Sequence, residues 1–329
     1  MNFYRAFGLV FRSDIPLGSL AANRIAAQQP DVDIRRGTPA RPDPGVAVDD
    51  MRVEINADSS RLSVPECGWF DVTGGARIIY EARAGIPAEH MPPYLLGTAL
   101  GALLHQRALL PLHCNAIVHD GRAYLFCGDS GAGKSTLAAV FEARGYPLLT
   151  DDLCAIAADA EGRFSATPGI PRLKLWIESL TALGREGAAV TRIPWYEDKF
   201  EVAMSRAAED RRYPVAAIYH LRQAGEDAPP GIHRLQGLEA ANAVTANIYR
   251  RRIADLLGRA PGYLAESMAL IRTVPIFRFN RRWGLENVVE DAALAEAHLI
   301  SVKVTHKGRN ATIVSKTVTM ISMICATTG

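Results

Sequence analysis

Tyr124-Leu125-Phe126-Cys127-Gly128-Asp129-Ser130-Gly131-Ala132-Gly133-Lys134-Ser135-Thr136 is the stretch on which the reading of this chain turns. Residues Gly128 to Ser135 fit G-x-x-x-x-G-K-[ST] in full. An apolar strand enters the loop, and a run with helical spacing, Thr136 to Ala143, leaves it. Glycines let the backbone curl so that successive N–H groups point at one place. The helix that follows adds its own unpaired N-terminal N–H groups and the positive end of its dipole. Such a loop cradles phosphate. The candidate nucleotide-binding residues are therefore Gly128, Asp129, Ser130, Gly131, Ala132, Gly133, Lys134, Ser135 and Thr136. Lys134 is placed for the β- and γ-phosphates and the Ser135 hydroxyl for a metal, so ATP and Mg2+ are the expected cofactors.

Working outward, His119-Asp120-Gly121 separates two apolar runs, His113 to Val118 and Arg122 to Cys127, which predicts a hairpin. The helix after the loop is expected from about Lys134 to Arg144, with Gly145 ending it and Pro147 just beyond. Pro147 to Leu153 reads as the next strand. It carries Asp151-Asp152, which begins 17 residues after Lys134, enough chain for one helix and one strand. Two carboxylates there suit one metal and one substrate hydroxyl, one carboxylate accepting the proton while the other holds the cation. Asp151 and Asp152 are catalytic candidates, and Asp152 joins Ser135 as a metal candidate. His113 opens a strand whose hairpin returns it toward the loop, which makes it the third catalytic candidate. Arg172 and Lys174 alternate on a further predicted strand and are candidate substrate contacts.

The 329 residues carry 37 basic and 35 acidic side chains, a formal net charge of +2, which gives no reason to expect a nucleic-acid partner. Hydrophobic residues make up 48%, an ordinary globular composition. The five cysteines (Cys67, Cys114, Cys127, Cys154, Cys325) form no C-x-x-C pair and read as reduced, buried thiols. Arg5, Arg12 and Asp14 interrupt the first fifteen residues, so no signal peptide is expected. The most apolar run, Met91 to Leu112, holds prolines, His105 and Arg107, and reads as a buried helix rather than a membrane span. A cytoplasmic location follows as the expectation.

The chain divides into residues 1–92, a small β-rich (α+β) domain with turn signals at Asp43-Pro44-Gly45 and Thr73-Gly74-Gly75, then 93–300, an α/β phosphate-loop domain, and a tail, 301–329. The tail has basic but no acidic residues and many Thr, Ser, Val and Ile. Helices are expected at 180–184, 239–257 and 261–270, and strands at 215–221 and 274–279. Lys199 and Arg250-Arg251-Arg252 are weaker candidates, the latter read as a solvated helix face.

Taken together, Gly128 to Ser135, Arg144-Gly145 and Asp151-Asp152 resemble the catalytic core of the HPr kinase/phosphorylase family, which carries a G-[DE]-S-G-x-G-K-S loop, an R-G-H helix end and a D-D pair at matching spacing. That family also has a histidine at the place of His113. The resemblance, close from His113 to Leu153, implies a fold related to phosphoenolpyruvate carboxykinases. It gives Asp151 the role of base, His113 that of electrostatic helper, and places Asp152 near the metal. The family signature E-x-R-G-L-G-x-x-N is absent, and Pro168 to Trp176 stands in its place. The opening Tyr4 to Leu9, the stretch Leu112 to Ala116 and Pro168 to Trp176 are similar to a divergent branch, some of whose members phosphorylate lasso-peptide precursors. This implies an ATP-dependent kinase acting on a Ser/Thr hydroxyl of a peptide or small protein, with a homo-oligomer compatible with the family. Two other readings stand beside it: a small-molecule hydroxyl kinase and a nucleotide-sensing regulatory protein. The D-G-D-N-x-R expected of an adenylylsulfate kinase is replaced here by Asp151-Asp152-Leu153-Cys154.

Overall fold

The computed structural model describes residues 1–185, 190–194 and 196–302. The tail from 303 onward, including Cys325, lies outside the described residues.

The N-terminal part is an eight-stranded sheet formed by strands between Asn2 and Ala82. Its buried face alternates with solvated positions, as in Ser59–Val64, where Ser60, Leu62 and Val64 point inward. The helical stretch over residues 92–106 buries Leu95, Leu96, Leu100, Leu103 and Leu104 against this sheet. That stretch was expected as one helix of the phosphate-loop domain. It packs between the two parts: the same core takes in Leu153, Ala155, Tyr249 and Ile253, and His105 hydrogen-bonds to the Tyr263 hydroxyl and the Tyr249 carbonyl. Within the stretch, Leu95–Ala99 is a π-helical turn.

The second part is built on a mixed sheet that shows why the candidate residues meet. The hairpin forms as expected: Cys114–His119 pairs antiparallel with the loop strand Arg122–Cys127. Asp120 and Gly121 both take positive φ, 47° and 70°, as a two-residue hairpin turn demands. Leu148–Thr150 pairs antiparallel with Cys114–His119, so it runs parallel to the loop strand. On the other side Tyr213–Gln223 is parallel to the loop strand, and Ile276–Arg281 is parallel to Tyr213–Gln223. Consequently the start of the hairpin (His113), the phosphate loop, Asp151 and Arg281 all emerge at one end of the sheet. In open α/β sheets that is the end where ligands bind.

The helix Lys134–Ala143 packs Leu137, Val140 and Phe141 onto Phe126 and Tyr219 of the sheet. A smaller three-stranded sheet, in the order Arg172–Trp176, Lys199–Ala203, Val190–Arg192, covers this helix. Its strands are amphipathic by a strict alternation. Leu173, Leu175 and Val202 face the core, while Arg172, Lys174, Trp176, Lys199 and Glu201 share the opposite face through the pairs Arg172↔Ala203, Lys174↔Glu201 and Trp176↔Lys199.

One expected helix is broken. The run 239–257 forms Gly237–Thr245 and Arg251–Leu256, separated by a segment in which Arg250 has φ 47°. Helical propensity there yields to tertiary hydrogen bonds: the Asn247 carbonyl accepts from His113 N at 2.7 Å, and Tyr249 N donates to Pro111 O at 2.9 Å.

The two parts meet where Phe7 N donates to Pro168 O at 2.7 Å, and the next residue, Gly169, donates to Leu149 O at 2.9 Å within the second part. A Cβ on Gly169 would collide with Thr150 Oγ1 and come within 2.8 Å of Phe7 Cε1. Gly169→Ala is therefore expected to cost about 1–3 kcal/mol, the usual range for overpacking. Urea unfolding with an unchanged slope would show it as a lower midpoint. An unchanged midpoint would mean that this junction tolerates the extra methyl.

Candidate active site

The loop begins where Cys127 leaves the sheet. Gly128 has φ 146°, and its N–H donates to Asn247 Oδ1 at 2.8 Å. A Cβ there would press on Leu221 O at 3.0 Å, so the close approach of two strand ends requires glycine. Gly133 is the helix cap, in the left-handed region at φ 74°. A side chain at 133 would meet the Arg281 guanidinium at 2.8 Å. Arg281 is 7% exposed, pairs with Asp291 at 2.9 Å and donates to Ala132 O at 2.9 Å. Arg281 and Asn247 thus brace the loop from outside. Neither was singled out from sequence. Arg281 ends a strand that was expected, while Asn247 sits in a run that reads as uninterrupted helix.

Lys134 Nζ donates to the carbonyls of Gly128 and Asp129 at 2.8 and 2.9 Å. Burial holds its ammonium below the usual lysine range, opposed by nearby groups including Asp151 and Asp152. Asn115 Nδ2 donates to Lys134 O.

Ser135 Oγ donates to Asp151, with its two carboxylate oxygens at 2.9 and 3.1 Å. Asp151 is 2% exposed and also accepts from Lys174 N at 2.8 Å. Burial, and then the charge of Asp152, raise its pKa above the ordinary carboxylate value. Asp152, with φ 72°, turns the other way and faces the cleft. Lys174 Nζ donates to its carboxylate at 2.6 Å. His113 Nδ1 lies 3.2 Å from the same carboxylate and 3.0 Å from the Asp152 carbonyl. For Asp152 burial works upward, but Lys174 and the hydrogen bond from His113 outweigh it and hold the pKa well below the ordinary value.

The acidic pair is therefore divided. Asp151 is turned to the loop hydroxyl, and Asp152 is turned to the open cleft beside His113. The family resemblance assigned the proton-accepting role to Asp151 and placed His113 at its service, but here His113 serves Asp152. Lys174 reaches the centre through Asp152. Arg172, expected to contact substrate, is 3% exposed, lies 3.2 Å from Glu201 and does not line the cleft. Arg250, read as part of a solvated helix face, borders the cleft and pairs with Asp49 of the N-terminal part at 3.0 Å.

The cleft has a volume of about 870 Å3 and is walled by both parts of the chain. The donor set fits a nucleotide and Mg2+. A Cβ on Gly131 would meet nothing within 4 Å, so the cradle in front of the loop is open. Ser135 and Asp151 are hard oxygen donors of the kind Mg2+ takes when it is shared with phosphates. Among the described residues no group of three or more His, Cys, Asp or Glu could hold a metal ion. Among them also no helix is long and apolar enough to cross a membrane.

No protein-family model and no curated protein matches this chain. Among solved structures it is similar to the Hpr(Ser) kinase/phosphatase from Coxiella burnetii, at 12% identity over 58% of this chain and 96% of that one, with a TM-score of 0.32. Superposition at that level is loose, and the chemistry above stands on the site's own geometry.

The opposite pKa shifts have opposite consequences for stability. A raised carboxylate pKa means that the folded state disfavours the ion, a penalty that grows as pH rises above about 4. Relative to wild type, Asp151→Asn should therefore gain stability as pH is raised from about 4 to 8. Asp152 has a depressed pKa, so its contribution is complete above about pH 4 and is lost as pH falls through the lower folded value. Asp152→Asn should be destabilised at neutral pH, with the difference from wild type shrinking below about pH 4. Thermal unfolding across pH reads both, and parallel curves for the two variants would refute the assignment.

Proposed function

We propose that the chain is an ATP-dependent kinase that transfers the γ-phosphoryl group to a hydroxyl. The observation that carries this reading is the contact between Ser135 Oγ and Asp151, with Asp152 beside it facing the cleft. It supports the reading because the hydroxyl that ends the loop and the acidic pair meet directly, so a metal corner and a candidate base would lie beside the bound phosphates.

Mg2+, when bound, would be held by Ser135 and Asp151 and would supply positive charge against the charge that develops on the phosphates. The chain's own residues do the rest. Loop N–H groups and Lys134 hold the phosphates, and Ser135 and Asp151 hold the metal corner. Asp152 accepts the proton of the incoming alcohol. Its pKa is low for a base, but phosphoryl transfer passes through a loose transition state in which positioning and charge outweigh proton abstraction. Lys174 and His113 fix the Asp152 carboxylate in one orientation. Lys174 and the neighbouring Lys199, whose ammonium stands 5.0 Å from the Trp176 ring, add positive charge on the phosphoryl side.

The acceptor favoured here is a Ser or Thr hydroxyl of a peptide or small protein, with a lasso-peptide precursor as the specific case implied by the sequence resemblance. The cleft's support for a polymer is its size, about 870 Å3 with walls from both parts of the chain. A small hydroxyl compound is the alternative.

Incubation with γ-labelled ATP and two acceptor sets, Ser/Thr peptides and hydroxyl metabolites, read by mass, separates these. Lys134→Ala should abolish ATP binding. Asp152→Asn should lower kcat by about 10²–10⁴-fold with little change in the KM for ATP. Asp151→Asn should raise the Mg2+ concentration needed for half-maximal rate. Wild-type protein that neither transfers phosphate nor hydrolyses ATP would defeat the proposal, and so would Asp152→Asn with an unchanged kcat.

A further inference from the structure

The sheet sets two ends of the site apart. Leu148–Thr150, which leads into the acidic pair, lies two strands to one side of the loop strand. Ile276–Arg281 lies two strands to the other side. Four strand spacings separate the two strand ends, on the order of 20 Å. The terminal phosphate belongs on the acidic side with Ser135 and Asp151. With the terminal phosphate there, the segment that follows Arg281 stands at the opposite end of the loop.

That segment is hydrogen-bonded at both ends. Arg281 is anchored to Ala132 O and to Asp291. Gly284, at φ 113°, reverses the chain, and Asn287 Nδ2 donates to the Trp283 carbonyl at 3.0 Å. Leu285 and Val288 follow along the cleft wall. On this segment Trp283 is 52% exposed and lines the cleft. It differs in this from the other two described tryptophans. Trp69 lies between Arg41 and Arg83, at 3.8 and 4.2 Å, and Trp176 meets Lys199 and Tyr196, at 5.0 and 6.0 Å. Trp283 has no ring or cation partner among the described residues. A lone exposed aromatic ring is ordinary on a protein surface. One set on a hydrogen-bonded turn, at the far end of a phosphate cradle, is in the place of a stacking platform.

We propose that Trp283, with Leu285 and Val288 beside it, forms the nucleobase subsite, an inference that rests on the nucleotide reading above. Base stacking on an aromatic ring tolerates any base, so the subsite favours nucleoside triphosphates as a class over inorganic polyphosphate.

The test titrates full-length protein with MgATP and with magnesium tripolyphosphate, by calorimetry and by tryptophan fluorescence. Wild type should bind MgATP more tightly than tripolyphosphate, and only ATP should quench the emission of Trp283. Trp283→Ala should weaken MgATP about tenfold while leaving tripolyphosphate unchanged. Trp283→Phe should keep the ATP affinity and lose the quench. The subsite is refuted if Trp283→Ala binds ATP as wild type does, if it loses both ligands equally, or if wild type binds the two ligands alike. Wild type that binds neither ligand would overturn the phosphate-loop reading together with this one.

Discussion

A carboxylate at 2% exposure has lost its water and needs donors in return, and for Asp151 they come from two directions: the Ser135 hydroxyl and the Lys174 backbone N–H. The first ties the acidic strand to the phosphate loop. The second ties it to the three-stranded sheet that covers the loop helix. Burial still raises the pKa of Asp151. The site therefore holds a charge it would rather neutralise, a condition that the metal proposed for Ser135 and Asp151 would relieve. Much of the surrounding structure serves to hold this buried acid against the loop.

Asp152 shows the converse arrangement one residue away. Its positive φ sends its side chain outward, where Lys174 and His113 over-stabilise the ion. Two adjacent carboxylates thus differ in environment, as the two roles proposed for them require. Repulsion between them contributes to the raised pKa of Asp151. The cationic balance comes from one face of the covering sheet. The same alternation that buries Leu173 and Leu175 delivers Lys174 and, across the ladder, Lys199.

The loop itself is braced by residues remote in sequence. Asn247 accepts from Gly128, and Arg281 caps the carbonyls at its far side. The segment holding Asn247 breaks a helix to do so. The broken helix places Arg250 at the cleft, paired with Asp49 of the N-terminal part. Both parts of the chain thereby wall one cavity.

By itself the sequence determined the local pieces: the phosphate loop, its flanking strand and helix, the Asp120-Gly121 hairpin and the polar ending of the next strand. These rest on turn chemistry, periodicity and spacing, which act over short stretches. Only the tertiary structure decided how the acidic pair is oriented: Asp152, at a φ of 72°, lines the cleft while Asp151 turns to the loop hydroxyl. It also decided that Arg172 pairs with Glu201 while Lys174 reaches Asp152, though both lie on one strand face. Asn247, Arg281 and the break after Thr245 were illegible for the same reason. Their conformations are fixed by hydrogen bonds to residues more than a hundred positions away, which leave no periodic trace in the chain.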